Sequence, residues 1–122
     1  MPRDAQAYLS DILESCDAIV LAVQGFDLEG YRSNRLVRSS VEREFTIIGE
    51  AMIALSRTAP VAFASITQAR RIVDFRNQLT HEYPSVNDVL VWGFIDRDVP
   101  VLRRECAGSS TELIQKDVLL RS

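Results

Sequence analysis

Residues 34–57, NRLVRSSVEREFTIIGEAMIALSR, contain the pattern that decides the fold. Large apolar side chains recur there at spacings of three and four residues, which places them on one stripe of an α-helix. The stripe consists of Val37, Val41, Phe45, Ile48, Met52 and Leu55. Gly49 lies inside this helix at a cost of about 1 kcal/mol relative to alanine, so we expect it to mark close packing against another helix.

The same periodicity appears on both sides of this segment. Upstream, residues 5–24 predict a first helix. Gly25 stands where that helix would end, and residues 26–32 fit a connection. Downstream, Pro60 breaks the pattern. After a short helical turn, residues 67–83 then predict a third helix.

A fourth helical pattern covers residues 86–102, and Pro100 within it predicts a kink or a break near Val99. Residues 108–110 read Gly-Ser-Ser, which is the composition of a linker. Residues 111–120 predict a short terminal helix beyond that linker.

The length of 122 residues fits a single domain with one core. The sequence contains 47% hydrophobic and 25% charged residues, which are ordinary values for a globular protein. We therefore predict an all-α antiparallel bundle of four main helices. It forms one domain over residues 1–122, with a core over 1–106 and a tail over 107–122.

The charge balance argues against a protein that coats nucleic acid over a broad surface. The net charge is −3, whereas such proteins generally have a basic face. A local site stays open, because 13 of the 14 basic residues are arginine, the residue that binds phosphate in a two-pronged fork. The alternative explanation for the arginines is genomic codon bias.

The cysteines and the N-terminus predict neither a metal site nor a membrane segment. Cys16 lies on the apolar stripe of the first helix and is expected to be a packed core thiol. Cys106 is distant in sequence, and neither has the neighbours of a zinc site. The chain has no apolar run long enough to span a membrane and no signal-like start, so we expect a cytoplasmic protein.

The segment 76–83, RNQLTHEY, contains the only histidine, His81. In a regular helix Arg76 and Tyr83 fall within about 20° of each other, whereas His81 lies about 140° from Arg76. The three side chains could converge only if the helix end loosens or if a neighbouring chain completes the site. Pro84 makes a loosened end plausible.

Arg76 and His81, with Asn77 and Thr80 as supporting or substrate-binding neighbours, are the parts of a metal-free phosphodiester site. Histidine moves protons near neutral pH, and arginine stabilises charge that develops on phosphorus. Such cleavage needs both a base and an acid. Since each chain has one histidine, a two-fold homodimer would supply the pair.

Structural roles compete with this interpretation. His81 and Tyr83 could anchor the helix end while Arg76 forms a salt bridge with Asp74 or Glu82.

Two further sets of charged residues also have two interpretations. Arg70 and Arg71 could hold RNA backbone beside the Arg76–His81 site, or they could form a solvated helix face. Glu50 could pair with Arg43 at the surface, or it could help to order that site.

The fourth helical pattern contains aromatic and apolar side chains that could stack against bases. Trp92, Phe94 and Ile95 are the residues concerned. Their position in the apolar pattern favours a role in the core or in a dimer interface instead.

The run Arg76-x4-His81-x-Tyr83, with Asn77 directly after the arginine, resembles the signature of the HepT-like toxins in the HEPN superfamily of helical ribonucleases. Thr80 departs from the pattern, because the family usually has an aliphatic residue there.

The resemblance extends beyond this motif to about residues 8–104. Arg43 and the Ile-Gly-Glu-Ala run at 48–51 are similar to the second helix of the family. Residues 91–92 and 98–102 are similar to its fourth helix.

The resemblance implies a metal-independent endoribonuclease that cleaves RNA in a composite cleft between two chains and needs no cofactor. Arg76 and His81 would be its catalytic residues. It would be the toxin of a type VII-like toxin–antitoxin pair.

The partner implied by the resemblance is a nucleotidyltransferase (MNT-domain) antitoxin that attaches AMP to Tyr83. Some related helical proteins only bind nucleotidyltransferases, so a non-catalytic partner or substrate-binding subunit is the alternative function.

Overall fold

The computed structural model describes residues 3–81 and 86–121, apart from the side chains of residues 117 and 121. This part of the chain forms seven α-helices and one π-helical turn, without a strand. The helices are α1 (Ala5–Ala22), α2 (Leu28–Ser33), α3 (Arg35–Thr58), α4 (Pro60–Ala64), α5 (Ala69–His81), α6 (Asp88–Gly93) and α7 (Val99–Arg121), with the π-helical turn at Phe94–Asp98. The predicted all-α bundle of four main helices, α1, α3, α5 and α7, is confirmed.

Helix α3 lies at the centre of the bundle. It packs against α1 on one side and α5 on the other, and α1 also packs against α7. The apolar stripe predicted from the sequence is buried, except that Val37 is only partly buried. Phe45 in this stripe contacts the rings of Phe75 and Phe94 at centroid distances of 5.1 and 6.1 Å. Because each fully buried side chain of this size contributes about 1.5–3 kcal/mol, the stripe accounts for the position of α3.

Local capping fixes the chain between α1 and α3. Gly25 has a φ of 81°, a left-handed conformation that glycine adopts readily, and it follows the end of α1. The expected connection contains the short helix α2, which the sequence pattern missed. The Asp27 carboxylate accepts a hydrogen bond from the Gly30 N–H at 2.8 Å and caps this helix. Asn34 caps α3 in the same way through the Val37 N–H.

The linker predicted at residues 108–110 is wrong, because α7 continues as one helix through them. Tertiary contacts offset the cost of Gly108. Gln6 of α1 donates a hydrogen bond to the Ser110 hydroxyl, and Leu113 packs against the core. Within α7, the Thr111 hydroxyl also bonds to the Ala107 carbonyl at 3.0 Å. The Gly-Ser-Ser composition alone contains no information about these contacts.

The irregularity predicted near Val99 takes the form of the π-helical turn. The Val99 N–H donates to the Phe94 carbonyl, five residues back. Pro100 has no N–H to continue the regular ladder, which accounts for a widened turn directly before it.

The predicted burial of Cys16 is confirmed. Cys16 and Cys106 are both fully buried, and this burial raises the pKa of each thiol to about 12. Both thiols therefore stay protonated at neutral pH. Within the described residues, no helix is both long enough and apolar enough to cross a membrane.

Gly49 is the point of closest approach between α3 and α5. A Cβ atom built on Gly49 would lie 2.2 Å from the Cβ of Arg76 and 2.3 Å from its Cγ. The Cβ of Arg76 is fixed to its own backbone and cannot swing away. The predicted close packing at Gly49 is thus confirmed, and only glycine allows it at this helix spacing.

We expect Gly49→Ala to lower the free energy of unfolding by about 1–3 kcal/mol, because overpacking outweighs the gain in helix propensity. Gly108→Ala is the matched control. It also lies inside a helix, but a Cβ there meets no atom within 4 Å, so it should raise stability by up to about 1 kcal/mol. Urea unfolding followed by circular dichroism measures both. A Gly49→Ala variant as stable as Gly108→Ala would contradict the close approach.

Candidate functional site

Helix α5 carries every described residue of the motif. Ala69, Ile72 and Phe75 are buried and hold one face of the helix against the core. Arg76 directly follows Phe75 and lies at the edge of this buried face, against Gly49 of α3. The buried apolar residues of α5 therefore fix the position of the Arg76 backbone relative to α3.

Contacts on both sides fix the Arg76 side chain, which is only 22% exposed. Its Nη2 lies 3.3 Å from Glu50 Oε1, and its Nη1 donates to Asn77 Oδ1 at 3.1 Å. Nε is buried and has no hydrogen-bond partner among the described residues. The guanidinium is thus held in one place with part of its surface open.

The ion pair decides between two alternatives left open by the sequence. Glu50 pairs with Arg76 rather than with Arg43, so its contact is with the candidate site. Of the two partners considered for Arg76, Asp74 forms no salt bridge with it, and Glu82 lies outside the described residues.

Asn77 and Thr80 have local contacts. The Asn77 side-chain oxygen accepts the hydrogen bond from Arg76 Nη1. The Thr80 hydroxyl lies 3.2 Å from the backbone carbonyls of both Arg76 and Asn77. A substrate-binding role for these two residues stays a prediction.

His81 is the last residue of α5 and is exposed. The helix remains α-helical through His81, so the loosened end that the sequence allowed does not occur before this residue. In that geometry Arg76 and His81 lie about 140° apart around the helix. One chain therefore does not bring the two side chains together. Tyr83 lies outside the described residues.

The two preceding arginines have separate surroundings. The Arg70 guanidinium lies 6.0 Å from the ring centre of Phe63. Arg71 instead donates to both carboxylate oxygens of Asp98, at 3.0 and 3.2 Å, and lies 4.4 Å above the ring of Phe94. A phosphate-binding role for either arginine stays a prediction, and in the single chain Arg71 is already paired.

Asp98 was missed by the sequence analysis. It is 9% exposed and lies in the π-helical turn, where its carboxylate faces Arg71. A signal existed in the sequence, because Asp98 occupies a position of the apolar pattern that includes Val91, Phe94 and Leu102. A carboxylate on a buried stripe requires a partner.

The aromatic residues of α6 and the π-helical turn belong to the core, as the pattern favoured. Phe94 and Ile95 are buried, and Trp92 is partly buried and packs against Tyr31 at a centroid distance of 5.5 Å. In the part of the chain that the structure describes, no group of three or more His, Cys, Asp or Glu residues could hold a metal ion.

Comparison with known proteins gives one family. The family model described as "Ribonuclease HepT-like" matches residues 12–107. The protein "Putative RNase MJ1380" of Methanocaldococcus jannaschii is 31% identical over 103 residues, which cover 84% of this chain and 94% of the relative. "Probable ribonuclease HepT" of Thermococcus cleftensis is 27% identical over 106 residues, which cover 84% and 93%.

No solved structure matches the chain. The family model and the relatives nevertheless cover the whole of α3 and α5, with Gly49, Glu50, Arg76 and His81. The chain belongs to the HepT-like ribonuclease family.

Proposed function

We propose that this protein is a metal-independent endoribonuclease that acts as a homodimer and serves as the toxin of a type VII-like toxin–antitoxin pair. Membership of the HepT-like ribonuclease family supports an RNA-cleaving activity, as do relatives whose names include RNase or ribonuclease. The names of these relatives describe those proteins, so the activity of this chain rests on its own site.

The observation that carries the proposal is the placement of Arg76 and His81 on one regular helix. Arg76 is held against α3 by Glu50 and by the close approach at Gly49, while His81 is exposed at the helix end. Because the two side chains lie about 140° apart, a second chain must bring the missing groups to each of them. A two-fold dimer does this with two copies of the same surface.

In the proposed reaction, His81 of one chain removes the proton from a ribose 2′-hydroxyl. The freed oxygen attacks the adjacent phosphorus, and the bond to the 5′-oxygen of the next nucleotide breaks. Protonated His81 of the second chain donates a proton to that leaving oxygen. Arg76 stabilises the negative charge on the phosphorus oxygens. The products are a 2′,3′-cyclic phosphate and a free 5′-hydroxyl.

We expect cleavage of single-stranded RNA to persist in EDTA and to leave a 2′,3′-cyclic phosphate. His81→Ala and Arg76→Ala should each lower the rate by about 100-fold or more, because each removes a proton-transfer or charge-stabilising group. Rates are measured by gel electrophoresis of end-labelled RNA.

Arg103→Ala is the matched control for these variants. It also removes an ion-paired arginine, one that bonds to Asp17 on the α1–α7 side of the bundle, and it should leave the rate unchanged. Circular dichroism checks that all variants fold. Loss of activity in EDTA that magnesium restores would contradict the mechanism. Protein that binds a nucleotidyltransferase but leaves RNA intact would favour the alternative of a non-catalytic partner.

The dimer proposal predicts how activity falls when intact and His81→Ala chains are refolded together. If both histidines of a dimer are needed, activity follows the square of the intact fraction, so an equal mixture should retain about a quarter of the activity of the unmixed intact protein. Light scattering should also give twice the chain mass. An equal mixture that retains about half of the activity would contradict a requirement for both histidines.

Tyr83 is the proposed point of control by the antitoxin. It follows Arg76 by seven residues, close to two turns of helix, so a phosphate attached to its phenol would lie near the arginine fork if the helix geometry of α5 continued that far. The added phosphate would compete with RNA for Arg76, and the nucleotide would obstruct the cleft.

We expect co-expression with a neighbouring nucleotidyltransferase to add one or more AMP units to the chain, and Tyr83→Phe to abolish the addition. Intact-mass spectrometry measures the gain. Tyr8→Phe is the control, since it removes a phenol far from the motif in sequence and should leave the modification in place. Inhibition of an unmodified chain would mean that the antitoxin acts by occlusion alone.

A further inference from the structure

A stack of three side chains lies beside the exposed face of α5. The rings of Phe75 and Phe94 are parallel within 5° and 4.2 Å apart. The Arg71 guanidinium carbon lies 4.4 Å above the Phe94 ring. Phe94 thus contacts both the Phe75 ring and the Arg71 guanidinium. The buried aromatic pair therefore ends in an arginine at the surface.

Asp98 fixes this arginine from the side. Nη1 of Arg71 donates to both of its carboxylate oxygens, and the Asp98 side chain is only 11% exposed. The Arg71 side chain itself is 50% exposed. A planar guanidinium held by an ion pair and a ring presents its remaining surface to solvent with little freedom to move.

A cavity of about 140 Å³ opens next to this arginine. Its lining residues are Arg71, Asp74, Phe75, Gln78, Leu90 and Phe94. It combines an apolar wall with the carboxylate of Asp74 and the amide of Gln78, which can accept and donate hydrogen bonds. Asp74, Gln78 and His81 follow each other at spacings of four and three residues, so they share one face of α5.

We propose that this cavity is a nucleobase-binding subsite in which one RNA base stacks on Arg71 and presents its polar edge to Asp74 and Gln78. Unstacked bases of single-stranded RNA are bound in this manner on arginine planes. The subsite rests on the proposed ribonuclease function and extends it to recognition of the substrate.

The surrounding charges favour a base over a phosphate at Arg71. Asp98 already neutralises the guanidinium, and the carboxylate of Asp74 lines the same cavity. A phosphate would meet repulsion from both, whereas an uncharged base would not.

The position along α5 separates the subsite from the site of cleavage. Arg71 and His81 are ten residues apart, which corresponds to about 15 Å along the helix. The subsite therefore binds a nucleotide at a distance along the strand from the cleaved bond. Such a contact selects the sequence around the cleavage position and takes no part in the chemistry.

The test measures RNA binding to the full chain carrying His81→Ala, which prevents cleavage during the measurement. The probe is a short single-stranded RNA in which one abasic nucleotide is moved along the strand, and fluorescence anisotropy gives the Kd for each position. With Arg71 present, we expect an abasic nucleotide at one position to weaken binding by about 5- to 10-fold. This factor is at the low end of the effects that loss of one stacked base has on binding.

Arg71→Lys should reduce this abasic penalty to less than about 2-fold, because lysine keeps the charge opposite Asp98 but loses the planar surface. Arg103→Lys is the control and should keep the full penalty. Gln78→Ala leaves the ion pair intact and should change which base is preferred at that position. Thermal unfolding verifies that each variant folds.

A penalty that Arg71→Lys leaves unchanged would overturn the subsite. Equal weakening of intact and abasic RNA in that variant would also overturn it, since this would indicate a phosphate contact. If the chain with His81 cleaves RNA but no position is sensitive to base removal, the subsite is wrong and the proposed function stands. If the base-sensitive position is found but RNA is not cleaved, the proposed function is wrong and the subsite stands. No binding of RNA would overturn both.

Discussion

The close approach of α5 to α3 at Gly49 is the constraint on which the candidate site depends. Without a Cβ at this position, the backbone of α3 comes so near that the first atoms of the Arg76 side chain lie where a Cβ would stand. The guanidinium then extends past α3 to Glu50. Packing of the two helices therefore determines both how deeply the Arg76 side chain is buried and its ion pair with Glu50. A larger residue at position 49 would disturb both.

This packing also divides α5 into two faces with different surroundings. Arg76 lies on the side towards α3, whereas Asp74, Gln78 and His81 share the side that is open to solvent. A straight helix cannot fold these faces onto each other, and α5 stays helical through His81. For this reason the proposed reaction needs a second chain, while a subsite for a more distant base can be built within one chain.

The sequence was sufficient wherever the deciding information is periodic or local. The stripe through Phe45 predicted α3 and its burial, and Gly49 in that stripe predicted a close contact. It was insufficient where residues distant in the sequence determine the local structure or the partner of a side chain. The Gly-Ser-Ser run at 108–110 is typical of a linker, yet contacts with α1 and the core keep it helical. Asp98 stands on an apolar stripe, but its partner Arg71 lies 27 residues away and no local pattern connects them.

The sequence by itself determined the helical class, the approximate positions of α1, α3 and α5 and the family motif, because hydrophobic periodicity and the spacing from Arg76 to His81 are properties of neighbouring residues. Only the tertiary structure decided that Glu50 pairs with Arg76 rather than with Arg43, and that Arg71 rests on Phe94 beside a small cavity. These are contacts between helices, and they are fixed by how the helices pack rather than by the order of residues within any one of them.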